Sequence, residues 1–77
     1  MEGLTVGRMV HYVAYGTPKG EFPALAHRAA IVTEVEDAEA GVISLCVLNP
    51  TGVFFNSHLP YDETAQKAGS WHWIERA

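Results

Sequence analysis

Four histidines and one cysteine are the residues in this chain whose types could do chemistry. His11, His27, His58 and His72 are a large complement for 77 residues, and with Cys46 they offer the donors of a transition-metal site. Zinc sites commonly carry at least one ligand pair at short spacing, such as C-x2-C or H-x3-H, and no two of these five residues stand that close. The histidines fall on four separate predicted elements. A closed barrel could bring three of them together, but the spacing by itself favours a polar strand-edge role for each. No metal ligand and no cofactor is therefore expected, and metal binding stands as an alternative. Nucleophilic catalysis would need Cys46, a histidine and Asp62 in contact. Cys46 lies between Leu45 and Val47 in an apolar run, where a cysteine is usually an inert small hydrophobe. No nucleophile elbow, phosphate-binding loop or paired catalytic carboxylates occur, so the chain is not expected to be an enzyme.

The elements that must position these residues are short strands. Residues 41–55, GVISLCVLNPTGVFF, are the most apolar run and carry their own turn. Ile43, Leu45 and Val47 alternate with Ser44, Cys46 and Leu48, the period of a strand with at least one buried face. Asn49-Pro50-Thr51-Gly52 supplies a turn in which proline presets φ and glycine tolerates a positive one, and Val53 to Phe55 resume the extended chain. Residues 5–15 alternate Val10, Tyr12 and Ala14 against His11, Val13 and Tyr15, which predicts a strand with a core face and a second face that is partly covered or used. Gly7 predicts a bend ahead of it. Residues 27–36, HRAAIVTEVE, read as a further strand with Ile31, Val32 and Val35 toward the core and a bulge around Thr33–Glu34. Residues 16–26 hold two glycines and two prolines within eight positions and form a long loop of the kind that often carries function. Residues 37–41 are an acidic turn, residues 62–67 a single helical turn or a polar loop, and residues 70–75 a closing strand with Trp71 and Trp73 on one face and His72 and Ile74 on the other.

Five short strands and almost no helix predict an all-β domain, either a small barrel like the Src-homology-3 fold or a strongly bent antiparallel sheet. The length allows one domain, residues 1–77, with a small core. A net charge of −4 with five scattered cationic residues argues against a nucleic-acid partner. No apolar run reaches the span of a membrane, and the single cysteine allows no internal disulfide, so a cytoplasmic setting is expected.

The eight large aromatic rings exceed what so small a core needs. Tyr and Trp suit surfaces where a ring is apolar on one side and polar on the other. Packing the core is one use for them. The other is a ligand site built from Tyr15, His27, Arg28, Asn56, Tyr61, Asp62, Trp71 and His72 beside the 16–26 loop, suited to a planar or anionic small molecule or a peptide.

The segments VHYVAYGTP, HRAAIVTEV, CVLNPTGVFFN and SWHW together resemble a set of short uncharacterised proteins of actinobacteria and their bacteriophages. The resemblance spans residues 10–76 and implies a small soluble protein, phage-encoded in some members; it brings no catalytic residues. The function expected on these grounds is a non-enzymatic binding module that contacts another protein or a second copy of itself. A small-molecule or nucleotide-signal binder is the alternative beside metal binding.

Overall fold

The computed structural model describes residues 1–16 and 23–75. Five strands, β1 (Met9–Val13), β2 (His27–Asp37), β3 (Val42–Asn49), β4 (Gly52–Leu59) and β5 (Trp71–His72), form one antiparallel sheet in the order β4-β3-β2-β1-β5. The fold is all-β as the alternating patterns require, and no helix occurs among the described residues. The sheet does not close: β4 and β5 are its two edges. The bent-sheet form of the expected architecture is therefore the one adopted. After β4 the chain crosses back to β5, where Tyr61 forms a parallel bridge with Trp71.

The registers give the two faces of the sheet different characters. On one face Val10 pairs with Ala30 and Ala30 with Val47, while Val32 pairs with Leu45. These residues form the core with Tyr12, Ile43, Leu59 and Trp71. Leu4, Val35, Tyr61 and Trp73 pack against them. The other face carries the rung Met9–Ile31–Cys46–Phe55, and next to it His11, Ala29, Leu48 and Val53. Leu45 is fully buried, and Leu45→Ala should cost about 3 kcal/mol in urea unfolding. A wild-type midpoint in that variant would contradict this core.

Local departures from a plain ladder have identifiable causes. The register shifts between Val32 and Glu34, which is the expected bulge at Thr33. A second irregularity lies opposite Ser44 in β4, where His58 adopts φ +59°. Glu36 holds it there: its Oε2 accepts from Ser44 Oγ at 2.8 Å and from the His58 amide at 2.7 Å. Those bonds, the Ser44 hydroxyl first, keep the Glu36 carboxyl below its ordinary range. One turn expectation is corrected. Gly52 opens β4 without a positive φ, and a Cβ there would meet open space. Of the two forms expected at residues 62–67, the polar loop is the one adopted, because the Asp62 side chain takes up the amides that a helix would use for its own ladder.

Candidate metal centre

Three of the four histidines meet on the second face, at its β5 edge. His11 on β1 is the register partner of His72 on β5. His27 is the partner of Val13, two residues along β1 from His11, which places it diagonally from His11 on the same face. The strand alternation that sends Val10, Tyr12 and Trp71 into the core therefore sends His11 and His72 to the opposite side. Ring centroids are 5.7 Å apart for His11 and His72, 4.6 Å for His27 and His72, and 6.3 Å for His11 and His27. The chain leaves β5 and turns Glu75 back over the three rings. Its carboxylate lies 3.3 Å from His11 Nδ1 and 3.5 Å from His27 Nδ1, and it contacts His72 Nε2.

These four side chains can each offer one donor atom, all within 4.8 Å of one another. A tetrahedral zinc site with bonds of about 2.0–2.1 Å places its donors about 3.3 Å apart, so side-chain rotations that bring these donors closer together would complete it. The donor set of three imidazoles and a carboxylate suits zinc and its divalent first-row neighbours. His72 points the same way. It is 3% exposed; its Nε2 contacts the Glu75 carboxylate, and its Nδ1 has no hydrogen-bond partner among the described residues. A buried imidazole left in that state is costly unless something else takes its lone pair.

The electrostatics agree with a neutral ring facing a carboxylate. Burial pushes the His72 pKa down, Glu75 opposing it and the two other histidines adding to it. For Glu75, desolvation pulls upward but is outweighed by His72 and His11, which hold the carboxyl below its ordinary value. Neutral histidines and an ionised carboxylate are the forms that ligate.

His11, His27 and His72, expected as separate polar strand-edge residues, are thus brought together, while His58 lies outside the cluster with its Nδ1 3.1 Å from Glu36. Sequence spacing also missed Glu75. The signal is present in the sequence: His72 and Glu75, three residues apart, are a short-spaced donor pair that cysteine and histidine spacings alone do not contain.

The single ligand site expected from the aromatics is divided by the fold. Tyr15, Arg28 and Asn56 come together with Tyr12 and Phe54 around an open, mostly apolar cavity of about 190 Å³ on the core side of the sheet. This is below the roughly 300–1,000 Å³ of usual small-molecule sites. His27 and His72 belong to the opposite face. Tyr61 and Trp71 pack against each other in the core with centroids 4.9 Å apart, and Asp62 organises the loop that follows. The 16–26 loop expected to flank the site falls largely at residues 17–22, outside the described residues. No helix among the described residues is long and apolar enough to cross a membrane. No protein-family model, curated protein or solved structure matches the chain.

Proposed function

We propose that the chain is a small metal-binding β-sheet module in which His11, His27, His72 and Glu75 hold one divalent transition-metal ion, zinc by preference. The observation that carries this reading is the buried His72 ring, its Nδ1 without a hydrogen-bond partner among the described residues, set against two further imidazoles and the carboxylate it contacts. Four protein donors fill a tetrahedron and leave no position for a water nucleophile, which favours a structural, non-enzymatic role. The ion would tie the two-residue strand β5 and the segment after it to β1 and β2. A domain of this size gains much from such a staple. The single unpaired Cys46 supports a cytoplasmic setting, and the group of short actinobacterial and phage proteins it resembles would be its context. The test is native mass spectrometry of the untagged protein grown with zinc. One metal per wild-type chain and none in His72→Ala is expected; a wild-type chain that takes up no metal overturns the reading.

A second reading, protein contact by self-association, rests on the same face of the sheet. The rung Met9–Ile31–Cys46–Phe55 crosses four strands without a charged residue. Phe55 is 74% exposed, and Val53, two residues before it on β4, and Met9, at the other end of the rung, are also exposed. Sheets that present an apolar face bury it against another sheet about 10 Å away, and a second copy offers a self-complementary one. Phe55→Lys should convert a dimer to a monomer in light scattering with its fold retained. A wild-type protein that is monomeric at about 100 μM would remove this reading, since obligate pairing of a stable module needs tighter association.

A further inference from the structure

The loop that joins β4 to β5 reaches the metal centre through one backbone carbonyl. His27 Nε2 lies 3.2 Å from the Ala65 carbonyl oxygen. A carbonyl only accepts, so this contact requires the proton on Nε2 and leaves the lone pair of the neutral ring on Nδ1. Nδ1 is the nitrogen that faces Glu75. The tautomer and the ring direction that ligation needs are thus set by where Ala65 puts its oxygen.

Ala65 does not hold that position by preference. Its φ is +58°, in the left-handed region that a residue with a side chain rarely adopts. Asp62 imposes it. Asp62 Oδ1 accepts from the Thr64 hydroxyl at 2.7 Å and from the Thr64 amide at 3.1 Å. Asp62 Oδ2 accepts from the amides of Lys67 at 2.9 Å and Gln66 at 3.2 Å. The Ala65 amide donates to the Asp62 carbonyl, and the Asp62 amide donates to the Trp71 carbonyl next to His72. One side chain therefore gathers the amides on both sides of Ala65 while its own backbone is anchored to β5. The Thr64 hydroxyl, followed by the Lys67 amide, holds the Asp62 carboxyl down at about 2, so the clasp stays ionised at any physiological pH.

We infer that Asp62 is a positioning residue for the metal centre, acting through the Ala65 carbonyl to fix the tautomer and orientation of His27. The inference rests on the metal reading of the four donors and adds the outer layer that metal-bound histidines usually need. Loss of such a partner typically costs about 10–100-fold in metal affinity.

The experiment measures zinc affinity of the full chain by competition with a chromophoric chelator, with the cobalt-loaded visible spectrum and long-range proton–nitrogen correlation of the histidine rings beside it. Asp62→Ala should bind zinc about 10–100-fold more weakly, with altered cobalt ligand-field bands and a His27 ring that samples both tautomers. Ala65→Gly keeps the carbonyl and accommodates the positive φ, and should bind within about twofold of wild type. Wild-type affinity and spectrum in Asp62→Ala overturn the inference, as does weaker binding with the His27 ring signature unchanged. If Asp62→Ala does not fold, the wild-type protein decides: a His27 proton on Nδ1 rather than Nε2 overturns it. Failure of the wild-type chain to bind either metal would remove the metal reading itself, an outcome distinct from a wild type that binds and a variant that binds equally well.

Discussion

Replacing Trp71 by alanine should destabilise the domain by about 3–5 kcal/mol, which would leave a chain of this length close to its unfolding midpoint at room temperature. Trp71 is fully buried. Its Nε1 donates to the Gly41 carbonyl at 2.7 Å, a bond that ties β5 to the turn between β2 and β3 thirty residues away. Its ring packs against Tyr61 at 4.9 Å and edge-on against Trp73 at 5.0 Å. Alanine removes the ring contacts and leaves the Gly41 carbonyl without that donor. Phenylalanine keeps most of the apolar contact and loses only the donor, so Trp71→Phe should cost about 1–3 kcal/mol. Urea unfolding followed by circular dichroism separates the two costs. An alanine variant as stable as the phenylalanine one would show that ring burial is not what holds β5 to the sheet.

That dependence explains which parts of the molecule the sequence made legible. The core face was readable on β1 and β3 because strand alternation is a local signal: Val10 and Tyr12, then Ile43, Leu45 and Val47, fall inward where period two puts them, whereas on β2 Ala30 and Val32 face the core and Ile31, expected there, lies on the other face. The bulge at Thr33 was readable for the same reason, as a break in that period. Barrel closure was not readable, because it depends on whether two edge strands find each other, and here the chain after β4 bridges to β5 through Tyr61 instead of pairing the edges. The candidate metal donors were half readable. Their residue types were evident, but their convergence depends on the register of β1 with both β2 and β5, a non-local property that no spacing rule contains. Glu75 joins the candidate donors only because the chain turns back after a strand of two residues. The predicted ligand site failed to hold together for the complementary reason. His27 and Arg28 are neighbours in sequence, so a strand sends them to opposite faces, and no single surface can use both.

Removing the metal should lower the thermal midpoint of the wild-type protein by about 15–30 °C. The figure follows from linkage: free zinc at about 1,000 times its dissociation constant stabilises the folded state by about 4 kcal/mol, and each kcal/mol moves the midpoint of a domain this small by about 4–8 °C. His72→Ala and His11→Ala should both abolish the shift. His11 stands at the rim of the site and is not in the core cluster, so its variant should keep the stability of the metal-free wild type. Acid should release the ion in the same window in which it weakens the fold. Burial holds the His72 pKa below the value of about 6.5 that the ring has in the unfolded chain. The stability contributed by the neutral ring is therefore complete above about 6.5 and is lost as the pH falls, because the unfolded state binds the proton first. Glu75, held low by the same histidines, adds a loss in the same direction at more acid pH. Metal binding needs all three rings unprotonated, so zinc affinity should fall steeply between about pH 7 and 5. Chelator competition across that range, with the midpoint measured in parallel, checks both. A zinc affinity that stays level from pH 7 to pH 5 would mean that the imidazoles are not the donors. A metal-dependent midpoint that survives His72→Ala would move the site elsewhere in the chain.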